Sequence, residues 1–292
     1  MKFTAIPASA DVYALGEGPI WDAIRGRLLW VDIVAGAVHE GLLDDGMVTA
    51  TGRHAFDATV GAVAVSADGE LIVAEQATLI RLGTDGSRTE LARVFEPGVR
   101  SRLNDGAVDP AGRFLIGSLA QDGRRGREVL ARLDEAGMTY LDTDLVLSNG
   151  LAWSPAGDLL YSVDTIPGTI WVRDYDPDSG KAGPRRKAFT ITDGKPDGMC
   201  ADVDGNLWIA NWGCGRVECR TPTGELLATV ETGAPHTSSA AFAGPDLDLL
   251  VITTSTQDLT EQDLAAHPNS GRLFTARVGV RGLPTPYWAP PD

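Results

Sequence analysis

Short apolar runs, rich in β-branched and aromatic residues, recur along the chain, and each follows a turn that contains Gly or Asp. Six of them read RGRLLWVDI, DGELIVAEQ, AGRFLIGSL, AGDLLYSVD, DGNLWIANW and DLDLLVITT. Strands of four to eight residues bounded by such turns are typical of β-hairpins. The segment TEQDLAAHP predicts one short helix, and no long window has a helical period.

The apolar runs repeat at a nearly constant spacing. The residues that precede them are Gly26, Gly69, Gly112, Gly157, Gly205 and, in the sixth copy, Leu247. Successive anchors are 43, 43, 45, 48 and 42 residues apart. A period in the forties with four strands per unit indicates propeller blades, whereas a β-sandwich would need six coincidences. The sequence therefore predicts an all-β fold: a single six-bladed β-propeller domain over residues 1–292, with four-stranded antiparallel blades around a central channel.

The ends of such a ring must be joined, because an open ring would expose unpaired strand edges. We expect the opening segment MKFTAIPAS to pair with the last blade beside GRLFTARV.

Composition limits the kinds of partner that the protein can bind and the cellular compartment in which it is expected. The formal net charge is −15, which disfavours binding to nucleic acid or to anionic membranes. Three cysteines without paired spacing predict no disulfide framework and a reducing compartment. The first residues contain no signal peptide or membrane span, so a cytoplasmic protein is expected. A closed ring with an acidic surface is compatible with a monomer.

One position of the repeat carries oxygen-bearing side chains. Counting back eight or nine residues from the anchors reaches Glu17, Asn104, Asn149 and Asp197 in four copies, and the small residues Gly61 and Ser239 in the other two. Equivalent positions in successive blades lie at one height around the axis, so these oxygens are expected to meet at one mouth of the channel. A glycine follows each at once or one residue later, which permits close approach of backbone and ligand.

Two carboxylates and two amide oxygens in one ring would repel each other unless something lies between them. Hard divalent cations prefer such oxygens, and Ca²⁺, Zn²⁺, Mn²⁺ and Mg²⁺ all remain open. Taken singly, Asn-Gly and Asp-Gly pairs are ordinary turn formers. The prediction of a metal site depends on their common register in the repeat.

Four motifs, GEGPIW, RLNDGAVDPAGRF, SNGLAWSPAGDLLYSVDT and PDGMCADVDGNLWIANWGCGRV, resemble those of the SMP-30/gluconolactonase/regucalcin-like family. The resemblance implies a six-bladed propeller with one divalent metal in its channel. It implies metal ligands at Glu17, Asn149 and Asp197, substrate contacts from Arg102 and Asn104, and an acid/base role for Asp197. Bacterial members of the family are typically lactonases.

The resemblance has one departure near the mouth. Some relatives carry a Glu just after the strand that corresponds to FLIGSL, where it helps to bind the sugar. Here Gln121 and Asp122 take that place, so Asp122 is the expected substrate contact and the choice of sugar is open. His236 precedes Ser239 by three residues, and it either lines the mouth or is a satisfied loop histidine.

The predicted function is metal-dependent hydrolysis of a sugar lactone, such as gluconolactone, xylonolactone or arabinolactone, to the aldonic acid. A lactone is an activated ester, so no covalent nucleophile is needed, and the chain lacks a G-x-S-x-G elbow. The alternatives are a phosphotriesterase-like metal hydrolase and a calcium-binding propeller without catalysis. A propeller used only for protein interaction would gain nothing from a ring of carboxylates and amides.

Overall fold

The computed structural model of the protein describes residues 1–135 and 137–291. Ala136 and Asp292, which the predicted domain includes, lie outside the described residues. The chain begins with two short strands, β1 (Lys2–Thr4) and β2 (Ile6–Pro7), before the first blade.

Six sheets follow one another along the chain, each an antiparallel meander that begins at the channel and ends at the rim. Blade 1 contains β3 (Gly16–Asp22), β4 (Arg27–Asp32), β5 (Ala37–Asp44) and β6 (Met47–Ala55). Blade 2 contains β7 (Val60–Val65), β8 (Leu71–Glu75), β9 (Thr78–Leu82) and β10 (Arg88–Arg93). Blade 3 contains β11 (Ser101–Val108), β12 (Phe114–Ala120), β13 (Glu128–Asp134) and β14 (Gly137–Leu145).

The second half of the chain continues the same order. Blade 4 contains β15 (Ser148–Trp153), β16 (Leu159–Asp164), β17 (Thr169–Asp174) and β18 (Arg186–Thr190). Blade 5 contains β19 (Lys195–Ala201), β20 (Leu207–Trp212), β21 (Arg216–Arg220) and β22 (Leu226–Glu231). Blade 6 contains β23 (Thr237–Ala243), β24 (Leu249–Thr254) and β25 (Phe274–Arg277). The predicted six-bladed propeller is confirmed.

The predicted short helix is also confirmed, as α1 (Glu261–Ala266) between β24 and β25. Thr260 caps it by accepting from the backbone N–H of Asp263, whose side chain accepts in return from the Thr260 backbone. Within the described residues, no helix has the length and apolar character that crossing a membrane requires. The three cysteines are free thiols, in agreement with the sequence.

The N-terminal closure is only partly as predicted. Strand β2 pairs with β25 and completes blade 6, as expected for a closing segment. Strand β1 instead pairs with β22, in parallel, and extends blade 5 to five strands. The backbone carbonyl of Ala8 then accepts from Val48 in blade 1. The opening segment therefore ties three consecutive blades together rather than one.

The core is divided among the blade interfaces. Six buried apolar clusters each join residues of two neighbouring blades, so that every blade is covered on both faces. This explains why an inner strand such as β7 is buried at all six of its positions instead of alternating with polar residues. The stacking of blades fixes the inner strands around the axis, where the candidate site lies.

The C-terminal segment 279–291 crosses the face opposite the candidate site. Its backbone bonds Leu247, Val65 and Gly112 on different blades, and the Tyr287 hydroxyl lies 3.1 Å from Asp22 Oδ1. Residues 283–286 line a cavity of about 490 Å³ in the channel. The tail thus covers the far end of the channel and leaves the candidate site at the opposite mouth.

Candidate metal and active site

Every innermost strand is irregular at the position that the repeat singles out. The pairing of the inner strand with its neighbour shifts register between Glu17 and Ile20, Val60 and Val63, Leu103 and Gly106, Asn149 and Leu151, Pro196 and Met199, and Thr237 and Ser239. A β-bulge bends a strand and re-aims the side chains beside it. The repeated bulge therefore falls at the repeat position that carries Glu17, Asn104, Asn149 and Asp197, whereas blade 2 has Gly61 there and contributes no side chain.

The glycines beside these side chains serve mainly the packing of one blade on the next. A Cβ at Gly150 would lie 2.5 Å from the Asp197 carbonyl oxygen, and one at Gly198 would lie 2.1 Å from Ser239 Oγ. The sequence suggested that these glycines permit the close approach of a ligand. The structure shows that Gly150 and Gly198 make room for the inner strand of the neighbouring blade. Gly18 is different, since its surroundings are open and its φ of +51° favours glycine.

A chain of hydrogen bonds joins polar side chains of blades 3 and 4 and ends on the backbone of blade 5. Arg102 Nη1 donates to Asn104 Oδ1 at 2.6 Å, and Asn104 Nδ2 donates to Asn149 Oδ1 at 3.1 Å. Asn104 Nδ2 also donates to the Ser148 carbonyl at 2.9 Å. Asn149 Nδ2 donates to Thr165 Oγ1, which itself donates to the backbone of blade 5. These bonds fix both amides and leave an Asn149 oxygen lone pair free for a further partner.

The carboxylates of Glu17 and Asp197 are each only 6% exposed. Burial raises the pKa of Glu17 well above its usual range, and the charges of Asp197 and Asp105 raise it further. Burial likewise raises the pKa of Asp197, with Asp105 adding to it, while Arg102 and a hydrogen bond to Asn149 oppose the shift. These influences bring Glu17 and Asp197 into one electrostatic cluster with the hydrogen-bonded residues.

Arg102 is the one basic side chain that these pKa shifts connect with the cluster, within the described part of the chain. Burial lowers its pKa to about 10, and the charges of Glu17 and Asp197 oppose that change, so it remains a cation at neutral pH. The charge of this one guanidinium acts on two carboxylates, Glu17 and Asp197, which leaves negative charge in excess.

Asp105 is the third carboxylate, and counting a single repeat position missed it. Burial raises its pKa to about 6, although the Gly106 N–H donates to it at 2.8 Å. Its side chain lines the cavity in the channel. The sequence did contain a sign of this third carboxylate, because Asp105 directly follows Asn104. A β-bulge can turn two successive side chains to the same side of a strand.

The donor set fits a hard divalent cation, although its third member is an amide and not an acid. Among the residues described, no group of three or more His, Cys, Asp or Glu side chains is arranged to hold a metal ion. Glu17 and Asp197 supply two carboxylates, and the Asn149 amide supplies a neutral oxygen, a mixed oxygen set of the kind that Ca²⁺ and Mg²⁺ prefer. A cation between the carboxylates would also offset the burial and, to a lesser extent, the repulsion between carboxylates that raise the pKa values of Glu17 and Asp197.

Two residues considered from the sequence lie outside this cluster. Asp122 is on an exposed loop, where it accepts from the Arg124 backbone N–H at 3.2 Å and lies 3.4 Å from Arg124 Nη1. His236 is half-buried and stacks on Trp212, with ring centroids 4.1 Å apart. Its Nδ1 donates to the Gln257 carbonyl at 2.9 Å, and burial lowers its pKa. His236 is therefore a satisfied loop histidine.

Fold and side chains together define a class: a six-bladed propeller with an acidic oxygen-donor cluster at one mouth of its channel. Residues 15–256 match the model of the SMP-30/Gluconolactonase/LRE-like region, and the chain belongs to this family.

Similar proteins span nearly the whole chain. Regucalcin of Xenopus laevis is 34% identical over 285 residues, covering 94% of each chain. The 6-deoxy-6-sulfogluconolactonase of Pseudomonas putida is 34% identical over 280 residues, covering 94% of this chain and 95% of that one. A crystal structure of regucalcin from Agrobacterium tumefaciens, described as a calcium-binding protein, superposes with a TM-score of 0.92 at 27% identity and covers 99% of both chains.

Proposed function

We propose that the protein, as one domain over residues 1–292, hydrolyses a sugar lactone to its aldonic acid with the help of one divalent metal ion. The observation that carries this proposal is the pair of buried carboxylates, Glu17 and Asp197, beside the buried guanidinium of Arg102. The name of the Pseudomonas relative, a gluconolactonase acting on a sulfonated sugar, supports the same class of substrate.

Glu17, Asn149 and Asp197 would hold the metal ion. When bound there, a divalent cation supplies Lewis acidity towards the lactone carbonyl oxygen and lowers the pKa of water. Calcium is the ion named for the Agrobacterium relative, and Zn²⁺, Mn²⁺ and Mg²⁺ share the preference for these donors to different degrees.

Asp197 is the proposed acid/base. Its carboxylate takes a proton from the attacking water as the water oxygen bonds to the carbonyl carbon. When the bond from that carbon to the ring oxygen breaks, the same proton passes to the ring oxygen, which becomes a hydroxyl. Burial raises the pKa of Asp197, which makes its carboxylate a stronger base towards water than an ordinary aspartate.

Arg102 and Asn104, both expected from the resemblance to contact the substrate, have different proposed roles. Both Nδ2 hydrogens of Asn104 are taken by Ser148 and Asn149, so this amide orients its neighbours. Arg102 uses Nη1 in its bonds to Leu103 and Asn104, which leaves Nη2 to stabilise the developing oxyanion. Asp122 lies near the substrate end of blade 3 and is proposed to accept a sugar hydroxyl.

A calcium-binding protein without turnover is the second candidate, and the description of the Agrobacterium relative favours it. One experiment separates the two. The protein is stripped with chelator and reloaded with each divalent ion, and acid release from a panel of aldonolactones is measured after subtracting spontaneous hydrolysis.

We expect chelation to abolish activity and Asp197→Asn to reduce kcat by about 10²–10⁴-fold. The matched control is Asp204→Asn, which makes the same change at an exposed turn of the same blade, on the opposite face. Equal rates for the metal-free protein or for Asp197→Asn would refute the proposed chemistry. Tight Ca²⁺ binding without turnover across the panel would favour the second candidate.

A further inference from the structure

A group of arginines lies at the mouth of the candidate site, on a protein whose formal net charge is −15. Loop 121–127, which we call the mouth loop, joins β12 to β13 and contains Arg124, Arg125 and Arg127. Arg100 lies directly before β11 and accepts through its carbonyl from the Gln121 N–H. Arg102 pairs with Leu119 at the same end of blade 3, so the mouth loop is on the side of the ring where the proposed substrate enters.

Buried hydrogen bonds hold the base of the mouth loop. Glu128 has no exposed surface and accepts from Ser101 Oγ at 2.9 Å and from Ser118 Oγ at 2.7 Å. At the other end of the loop, Gln76 Nε2 donates to Gln121 Oε1 at 3.0 Å. The loop is therefore anchored one residue away from Arg102, and its arginines have a defined position relative to the site.

The charges of the mouth loop are only partly compensated. Arg124 pairs with Asp122 and Glu128, both at 3.4 Å. Arg125 and Arg127 are exposed, as is Arg100, and for none of the three is an ion pair found within the residues that the structure describes. Their positive charge is free to meet a ligand.

The opposite side of the mouth has the opposite sign. Blade 6 lies across the ring from blade 3, and its connection between β24 and β25 carries Asp258, Glu261 and Asp263. A field of this direction draws an anionic group towards blade 3 and away from blade 6. Guanidinium groups also match the oxygens of carboxylate, sulfonate and phosphate with paired hydrogen bonds.

We propose that the substrate is a lactone with an anionic group at the end remote from its ring carbonyl, bound by Arg125 and Arg127. This inference rests on the proposed lactonase function and names its class of substrate. The neutral lactone portion occupies the carboxylate cluster, and the anionic end projects to the mouth loop of blade 3.

The test compares the metal-loaded protein on glucono-lactone and on its 6-phosphorylated, 6-sulfonated and 6-carboxylate counterparts. We expect kcat/KM to favour at least one anionic lactone by about tenfold at about 20 mM salt, and the preference to shrink at about 300 mM. The double variant Arg125→Gln/Arg127→Gln should raise KM for that lactone about tenfold and leave the neutral lactone within about twofold.

The matched control is Lys181→Gln/Arg281→Gln, which removes two exposed positive charges from the opposite face. It should leave both substrates unchanged. Equal or better kcat/KM for the neutral lactone, or an equal effect of the control pair, would overturn the inference while the lactonase function stands.

A binding measurement covers the case in which no lactone is hydrolysed. Calorimetric titration with gluconate and 6-phosphogluconate compares the neutral and charged ends directly. Tighter binding of 6-phosphogluconate that is lost in Arg125→Gln/Arg127→Gln would support the anion site although the proposed reaction had failed. Equal affinities for the two acids would refute it.

Discussion

Gly198 offers the sharpest test of how blade packing controls the site. It follows Asp197 on β19, and its φ lies outside the left-handed region, so alanine is not excluded by backbone conformation. A Cβ there would lie 2.1 Å from Ser239 Oγ, 2.5 Å from Ser239 Cβ and 2.8 Å from Ser239 Cα. The hydroxyl can rotate away, but the other two atoms cannot.

The size of the disturbance follows from those distances. Ordinary contact begins near 3.4 Å, so blades 5 and 6 must separate locally by about 0.6–0.9 Å to admit the methyl group of Gly198→Ala. Overpacking of this kind costs about 1–3 kcal/mol. With an unfolding entropy of about 0.6 kcal/mol/K for a chain of this length, Tm should fall by about 2–5 °C.

The same shift should reach the proposed chemistry, because Asp197 is the adjacent residue on the displaced strand. A misplacement approaching 1 Å can cost about 100-fold in rate, so we expect kcat of Gly198→Ala to fall about 10–100-fold. Scanning calorimetry and the lactone assay measure the two effects. The assay also requires that the parent shows the proposed activity.

Two variants make the result interpretable. Gly52→Ala adds a methyl at an outer strand, where the nearest atoms are 3.6 Å away, and should change Tm by less than about 1 °C. Gly198→Ala/Ser239→Gly removes the Cβ that is struck and should recover part of the loss. A Gly198→Ala protein as stable and as active as the parent would show that the interface does not position Asp197.

Deleting residues 1–9 should lower Tm by about 5 °C or more, since the segment's backbone bonds to three blades are lost; an unchanged Tm by calorimetry would remove the closing role. Added Ca²⁺ should raise the Tm of the parent by about 2–5 °C but not that of Glu17→Gln, because only the native state offers the complete donor set; equal shifts would contradict the ligand role. Folding raises the pKa of Glu17 above its ordinary 4.5, so its contribution to stability is full below that pH and is lost as pH rises through the folded value. In chelator, the parent should therefore lose stability between pH 4.5 and neutrality more steeply than Glu17→Gln; parallel Tm curves would refute this assignment.

Much of the fold could be read from the chain because its signals are local and repeated. Each blade carries the same turn and apolar run, and the six anchors keep nearly the same spacing, so an error in one unit does not alter the period. The helix could also be predicted from the sequence, since Thr260 and Asp263 form a capping box within four residues. The rotational symmetry of a propeller then let one repeat position indicate a shared height on the axis.

The parts that the sequence did not reveal depend on contacts between distant segments. Nothing in MKFTAIPAS indicates that β1 leaves blade 6 for blade 5, because the choice depends on which edge is free after the ring has formed. The path of the C-terminal tail across the ring could not be predicted either, because the tail lies outside the repeated units. Asp105 was missed because only a bulge, set by pairing with β12, turns it towards the channel beside Asn104.

By itself, then, the sequence determined the number of blades and the chemical character of the ring at Glu17, Asn104, Asn149 and Asp197, whose roles as ligands, acid/base and substrate contacts remain predictions. Only the tertiary structure decided how closely neighbouring inner strands pack, how Arg102 and the two amides bond, and how an acid such as Asp105 shares their field. The physical reason is range: turn and strand preferences act over a few residues, whereas burial, charge coupling and blade contact arise between residues that are far apart in the chain and meet only in the closed ring.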